Sequence, residues 1–269
     1  MLKTVSSTKS GEAQDEMAAE ERRMRVQLAE FYHLVAYLGW TEMIFNHISL
    51  RVPGPNRHYL VNPFGLHYEE ITPDNLVKVD VEGNLVEPSD YPANRTGFAL
   101  HGAIHEARDD IHCIAHTHTT PISAIALKEG DFTYDDFYGA QLFGRVGYHA
   151  FEGVTVFADE RPRMVASLGD KNVLVLRNHG IAVGERDVPR TFWLLYNAQR
   201  AAEIQCQAGM LPGANTPLTD EVRLRSAAAA EELVAGDAFA AKLFDAMVRK
   251  VRRDRGPLWA RDTGTDRLE

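Results

Sequence analysis

Two histidines, His116 and His118, lie one residue apart in "HCIAHTHTTPISAIAL", between two apolar segments. Side chains at positions i and i+2 of a strand point to the same face, so an extended backbone aims both imidazoles at one point. His179 follows the apolar stretch "NVLVL" and precedes a glycine, which makes it the candidate third ligand of a divalent metal ion. Three neutral imidazoles leave coordination positions open for water or substrate, an arrangement typical of catalytic transition-metal sites. An HxH pattern alone is more often explained by local hydrogen bonds or surface exposure, so a metal site can be inferred only from the sequence around it.

The segments around these histidines have alternating strand and helix patterns. Apolar residues at three- and four-residue intervals predict helices over 22–39 and in "TGFALHGAIHEARD", while "TTPISAIALKEG" suits a helix with Thr120 as its cap and Pro121 at its first position. "RPRMVASLGDK" reads as a helix that stops at Gly169, and a long helix is predicted over 187–209, with further helix near the end. "HISLRV" and "HYLVNP" predict a hairpin, "IHCIAHTHT" a strand, and "NVLVLRNHGIAVG" two strands that meet at 178–180.

The elements predict one main domain. No repeat or composition break divides the body of the chain, so we expect a domain over 21–235, a mobile N-terminal arm over 1–20 and a C-terminal helical extension over 236–269. Several strands are joined by short turns, which indicates a mixed or antiparallel sheet covered by helices on both faces.

Composition narrows the class of partner. The 269 residues carry a net charge of -9, which argues against nucleic acid and anionic membranes as partners because phosphate groups are bound chiefly by clustered Lys and Arg. A small-molecule substrate is the expected partner. Two cysteines, no secretory signal pattern and no apolar run of about eighteen residues predict a cytoplasmic protein.

Four segments together resemble a known family. "FNHISLRV", "LVNPFGLHYEEITPDNLVKVD", "ALHGAIHEARDDIHCIAHTHT" and "VLRNHGIAVGE" occur in this order and at separations similar to those of the class II aldolase/adducin family, over about residues 25 to 210. The resemblance implies an α/β fold, a three-layer α/β/α sandwich with a mostly antiparallel central sheet, commonly assembled as a homotetramer with sites at subunit boundaries. It implies that His116, His118 and His179 hold the metal, with Zn²⁺ expected first and Fe²⁺, Mn²⁺ or Co²⁺ as alternatives. In that chemistry the metal acts as a Lewis acid on a substrate enediolate.

The sequence departs from the family pattern where the aldolases carry a catalytic glutamate. That glutamate lies four residues before the histidine that corresponds to His101, and here the position is Gly97. No Asp or Glu occurs between Asp90 and Glu106, so a small shift of the alignment does not restore the carboxylate. His101 and His105 have the spacing of a helical metal pair, but no matching third ligand is evident.

The substrate pocket also departs from that of the sugar-phosphate aldolases. The corresponding segments of this chain are Pro63-Phe64-Gly65, Arg95-Thr96-Gly97 and His47-Ile48-Ser49. They supply the candidate substrate-binding residues His47, Phe64, Gly65, Arg95 and Thr96. Phe64 removes a hydrogen-bond donor, so a non-phosphorylated carboxylate or aromatic substrate fits better than a sugar phosphate, although Arg95 could pair with an anion. The resemblance places Tyr134 near the family's catalytic tyrosine acid, with Tyr138 as a competitor and an interface role as the alternative.

Three functions are compatible with these residues. The first is a divalent-metal-dependent carbon–carbon lyase, an aldolase or decarboxylase acting through a metal-stabilised enolate. Decarboxylation suits the loss of the glutamate because it needs no base to remove a proton at the start. The second is a non-haem iron oxygenase that uses the same three histidines. The third is a non-catalytic, adducin-like oligomeric domain, which the missing carboxylate favours and the retained histidines oppose.

Overall fold

The structure, a computed structural model, describes residues 5–93, 97–154 and 157–260 of the chain. Within them, seven strands form one sheet: β1 (His47–Arg51), β2 (Tyr59–Val61), β3 (Val77–Val79), β4 (Cys113–Thr117), β5 (Val146–His149), β6 (Val173–Leu176) and β7 (Gly180–Glu185). Their order in the sheet is β3-β2-β1-β4-β7-β6-β5. The parallel pair is β5 and β6, and the other neighbours are antiparallel.

Helices cover both faces of this sheet. They are α1 (Val5–Tyr37), α2 (Ala103–Ala107), α3 (Thr120–Leu127), α4 (Arg161–Leu168), α5 (Val188–Ala208), α6 (Asp220–Ala235) and α7 (Asp237–Arg255), and a π-helical turn, Phe98–Gly102, leads into α2. None of the helices among the described residues has the length and apolar character that crossing a membrane requires.

The alternation of apolar side chains along the strands produces the layers. Val173 and Val175 of β6 pack into the larger apolar cluster with α1, α5 and α7, whereas Leu174 and Leu176 pack into a second cluster with α2 and α4. Successive strand residues point to opposite faces, so a strand that is apolar throughout must be covered on both sides. The predicted three-layer α/β/α sandwich with a mostly antiparallel sheet is confirmed.

Most predicted elements occur where expected. The β1–β2 hairpin, the strand carrying His116, the hairpin around His179, the α4 stop at Gly169 and the long α5 are all present. The cap of α3 is Thr119, one residue before the predicted Thr120, because the helix itself begins at Thr120.

Two predictions of secondary structure were wrong. Helix α1 begins at Val5, well before the predicted onset near residue 20, so the segment assigned to a mobile arm is helical from Val5. The run Glu16-Met17-Ala18-Ala19-Glu20 consists of strong helix formers but lacks an apolar period, and exposed helix gives no such period. Strand β5 was not predicted, because Gly147 and His149 interrupt its apolar residues and leave no strand pattern.

The C-terminal helix α7 is part of the main core. Ala240, Phe244, Val248 and Val251 are buried, and the ring of Phe244 meets those of Phe31 in α1 and Phe192 in α5 with centroid distances of 6.4 and 5.7 Å. The boundary between the domain and the extension at residues 235 and 236 stays a prediction, but the helix that follows it packs on the same core as α1 and α5.

Candidate metal centre

Three histidines converge at the end of β4. His116 lies within β4, His118 follows the last residue of the strand, and His179 lies in the turn between β6 and β7. One ring nitrogen from each histidine lies within 4.8 Å of the others, and the ring centroids are 4.5 to 4.9 Å apart. The i, i+2 spacing and the third histidine after an apolar strand therefore meet at one point.

Hydrogen bonds fix which nitrogen the first two histidines offer. The Nδ1–H of His116 donates to the carbonyl oxygen of Ile181 at 2.9 Å, and the Nδ1–H of His118 donates to the Glu42 carboxylate at 2.9 Å. A neutral imidazole has one N–H, so the Nε2 atoms of both residues are left with lone pairs. Partners of this kind orient metal-ligating histidines in known sites.

The two free nitrogens can bind one cation. Nε2 of His116 and Nε2 of His118 are 2.6 Å apart, and a cation bound beside both nitrogens would remove the repulsion between their lone pairs. Neutral imidazole nitrogen is the ligand that Zn²⁺ and other late transition metals accept. The donor set of His116, His118 and His179 therefore fits a divalent transition metal.

The turn that presents His179 has residues suited to its backbone. Asn178 has a φ of +59°, a left-handed conformation that Asn adopts more readily than most residues. A Cβ atom on Gly180 would lie 2.5 Å from the carbonyl oxygen of Thr117 and 2.7 Å from the His118 ring, so only glycine allows this approach. The Ser123 hydroxyl lies 3.1 Å from the carbonyl oxygens of both His118 and His179, which ties the two segments to α3.

Burial keeps the three histidines neutral. Burial lowers the pKa of His116 well below its usual range, and burial with the neighbouring His118 lowers the pKa of His179 to about 4. Burial also lowers the pKa of His118, although the Glu42 carboxylate acts in the opposite direction. Neutral nitrogens at ordinary pH are what metal binding requires.

The histidines line a cavity with apolar walls. Its volume is about 180 Å³, and its lining comprises Phe45, Asn46, His47, Leu100, His116, His118, Val154 and His179. Ligand pockets more often fall between about 300 and 1,000 Å³, so this one suits a small molecule. Within the described residues, the lining contains neither a carboxylate nor a cationic side chain.

The predicted substrate residues are placed differently from one another. His47 lines the cavity, and its ring stacks on that of His116 with a centroid distance of 5.1 Å. Phe64 and Gly65 lie outside the described lining of the cavity, and Phe64 is partly exposed. Arg95 and Thr96 fall outside the described residues.

Tyr134, the predicted acid, also lies outside the described lining. Its hydroxyl lies 3.2 Å from that of Tyr148, and burial together with this contact raises the pKa of Tyr134. The role of Tyr134 as a catalytic acid, which the family resemblance implies, stays a prediction.

Two residues of the site were not found from the sequence. Glu42 holds His118 from 76 residues away in the chain, and no spacing pattern connects the two. Asn46, in a left-handed conformation with a φ of +69°, lines the cavity with a buried amide that has no hydrogen-bond partner among the described residues. A polar residue with positive φ just before a strand was the available signal for Asn46.

Comparisons with known proteins give the family. The family model described as "Class II Aldolase and Adducin N-terminal domain" matches residues 26–206. A protein of Pseudomonas aeruginosa, provisionally named as an aldolase class 2 protein, is 39% identical over 197 residues, which cover 73% of this chain and 76% of that protein. Alpha-adducin of Rattus norvegicus is 40% identical over 190 residues, 69% of this chain but 25% of the adducin.

Solved structures have the same fold. An aldolase II superfamily protein from Pseudomonas syringae superposes with a TM-score of 0.84 and 36% identity, covering 91% of this chain and 98% of that one. L-fuculose 1-phosphate aldolase from Glaciozyma antarctica superposes with a TM-score of 0.75 at 21% identity, covering 88% of this chain and 93% of the aldolase. At that identity the second likeness concerns the fold alone.

Proposed function

The chain belongs to the class II aldolase and adducin family, and from that premise we propose that it is a divalent-metal-dependent carbon–carbon lyase acting on a small, non-phosphorylated oxygenated acid. The observation that carries the proposal is the convergence of His116, His118 and His179 at a small cavity, with the Nδ1–H groups of His116 and His118 already engaged. Zn²⁺ is the proposed metal, since three imidazoles with open positions are typical of catalytic zinc sites.

Several groups at the cavity support this reaction. His116, His118 and His179 would hold a divalent cation, which would supply Lewis-acid chemistry to the oxygen atoms of a bound substrate. Glu42 and the Ile181 carbonyl hold the rings of His118 and His116 in place. Phe45, Leu100 and Val154 give the cavity apolar walls, of which Leu100 is buried.

The absent carboxylate favours decarboxylation among the lyase reactions. An aldol cleavage needs a base that removes a hydroxyl proton, and the described lining of the cavity has no carboxylate for it. Loss of CO₂ from a carboxylate that lies β to a carbonyl group leaves an enolate without such a base, and a proton from water then completes the carbonyl product. A phosphate group is disfavoured because no cationic side chain lies in the described lining.

One experiment separates this proposal from its alternatives. Protein depleted of metal and reconstituted with Zn²⁺ is incubated, without oxygen, with a panel of small hydroxy- and oxo-acids, and release of CO₂ and carbonyl product is measured. We expect zinc-dependent release from at least one acid, its loss in His116→Ala, and its retention in the exposed matched control His112→Ala. Turnover that instead needs Fe(II) and consumes O₂ would assign the site to an oxygenase.

Two observations favour the non-catalytic alternative, the missing carboxylate at Gly97 and the 40% identity to alpha-adducin. It predicts no turnover with any metal in the same assay and an unchanged oligomer in His116→Ala. The proposal also includes assembly as a homotetramer and a cytoplasmic location. Light scattering on the purified protein tests the homotetramer.

A further inference from the structure

A chain of four buried polar side chains leads away from the metal centre. Nδ1 of His47 lies 2.8 Å from Nε2 of His101, Nδ1 of His101 lies 2.6 Å from the Ser49 hydroxyl, and that hydroxyl lies 2.7 Å from Nε2 of His105. All four residues are at most 5% exposed. The chain therefore connects His47, in the wall of the cavity, to His105, which is fully buried in α2.

The fold brings these residues onto one face of the sheet. His47 and Ser49 alternate with Ile48 and Leu50 along β1, so they point away from the larger apolar cluster and toward the π-helical turn and α2. His101 lies in that turn and His105 lies in α2. His47 is directly opposite His116 in the β1–β4 pair, and its ring stacks on the ring of that metal-site residue.

The donors and acceptors of this chain are interdependent. Two ring nitrogens 2.8 Å apart form a hydrogen bond only if one carries a proton and the other does not. The Ser49 hydroxyl has one proton, so it donates to one of its two histidines and accepts from the other. With one N–H on each imidazole, all the hydrogen bonds run in one of two opposite directions, and the direction taken determines the tautomer of His47.

The place beside His47 is where the family carries its glutamate. A Cβ atom on Gly97 would lie 3.4 Å from the His47 ring, in van der Waals contact with it. The imidazole of His47 therefore occupies the space next to residue 97 that a longer side chain would enter. His47 is the polar side chain that borders both this space and the cavity among the described residues.

We propose that Ser49 and His101 are positioning residues that fix one tautomer and one ring orientation of His47, so that His47 presents a defined Nε2 atom to a substrate bound beside His116, His118 and His179. The substrate part of this inference rests on the proposed lyase function. The tautomer part depends on the hydrogen-bonded chain alone, and it assigns a use to the His101–His105 pair that the metal centre leaves unused.

Nitrogen NMR of the histidine side chains tests the tautomer directly. In ¹⁵N-histidine-labelled, zinc-loaded protein, the Nδ1 and Nε2 shifts of His47 are expected to report one tautomer in an excess of about fivefold or more. In Ser49→Ala we expect the two tautomers of His47 to approach equal amounts. Thr191→Val, which removes an equally buried hydroxyl bonded to the Cys113 and Asp187 carbonyls, is the matched control and should leave the His47 signals unchanged.

The same variants separate positioning from simple packing. In the lyase assay, Ser49→Ala and His101→Phe should lower kcat by roughly tenfold to a hundredfold while KM changes little. The reason is that a displaced His47 ring slows the reaction more than it weakens substrate binding. His101→Gln, whose amide reaches the Nε2 position, should recover part of kcat. If His101→Phe does not fold, Ser49→Ala alone carries the test.

Three results would overturn the inference: comparable amounts of both His47 tautomers in the wild type, an unchanged tautomer ratio in Ser49→Ala, or an unchanged kcat in Ser49→Ala. Failure of the proposed function looks different. In that case the wild type turns over no acid, while the NMR measurement still shows whether one tautomer of His47 predominates.

Discussion

Two hydrogen-bond acceptors orient the histidines of the candidate metal centre and so contribute to its geometry. Glu42 and the Ile181 carbonyl accept hydrogen bonds from the Nδ1–H groups of His118 and His116, so both Nε2 lone pairs are left available to an ion. A site prepared in this way loses less conformational freedom when it binds a metal.

Glu42→Gln should weaken metal binding without abolishing it. The amide keeps the size of the side chain but presents a weaker acceptor to the Nδ1–H of His118, and changes of this kind typically reduce metal affinity by about tenfold to a hundredfold. Competition with a chromophoric chelator measures the affinity for Zn²⁺. Glu69→Gln, an exposed carboxylate elsewhere, is the control, and equal affinities in both variants would remove Glu42 from the site.

The sequence made part of this site predictable. The HxH spacing and the position of His179 after a buried strand indicated the three converging histidines. Glu42 and Ser123 could not be found in that way, because their contacts join segments 76 and 56 residues apart and leave no local pattern. The chain from His47 to His105 was also out of reach, since only the packing of β1 against the π-helical turn brings its members together.

The β6–β7 hairpin is the element that sets the geometry of the third ligand. Gly180→Ala should disturb it, because the new methyl group would lie 2.5 Å from the Thr117 carbonyl oxygen and 2.7 Å from the His118 ring. We expect a loss of about 1–3 kcal/mol in the free energy of unfolding, as for other overpacked positions, and weaker zinc binding. Gly130→Ala, where nothing lies within 4 Å of the new carbon, is the matched control.

Urea unfolding and zinc titration measure the two effects of Gly180→Ala. If the variant equals the control in both, the hairpin is more adaptable than the close approach of β4 and β7 indicates.

The π-helical turn and α2 bury two histidines that are outside the metal centre. Burial lowers the pKa of both His101 and His105 well below 6.5. Below about pH 6.5 the unfolded chain takes up protons on these residues and the folded chain does not, so the free energy of unfolding falls as the pH falls. The slope expected from each is about 1.4 kcal/mol per pH unit.

Urea unfolding of the metal-depleted protein at pH 7.5 and 5.5 tests this prediction. The protein should be less stable at pH 5.5, and His112→Gln, which removes an exposed histidine, should show the same dependence. Equal or greater stability at pH 5.5 would mean that the buried histidines accept protons in the folded state.

Individual elements differed in how well the sequence predicted them. The hairpins and α5 have strong periodicity and turn residues, and they occur as predicted. The start of α1 was missed because it is polar, and the parallel strand β5 was missed because Gly147 and His149 interrupt its apolar residues. The helix predicted from "TGFALHGAIHEARD" is present, but its first turn is π-helical, a local change that no apolar period predicts.

In the molecule as a whole, the C-terminal helix belongs to the core that supports the site. Phe244→Ala should lower the free energy of unfolding by about 3–5 kcal/mol, because the ring is 1% exposed and packs between α1 and α5. The neighbouring Leu243, which is 40% exposed, supplies the control Leu243→Ala with an expected loss below about 1 kcal/mol. Equal losses in the free energy of unfolding of the two variants would show that the buried face of α7 does not contribute to the core.

The central claim, that this fold assembles His116, His118 and His179 into a metal centre, is tested most directly by zinc stoichiometry. Protein purified without chelators is dialysed to equilibrium against buffered Zn²⁺, and bound metal is measured by mass spectrometry for the wild type, His179→Ala and the exposed control His112→Ala. The predicted result is about one ion per chain in the wild type and the control and none in His179→Ala. A wild type without metal, or a His179→Ala variant that binds as much as the wild type, would contradict the account.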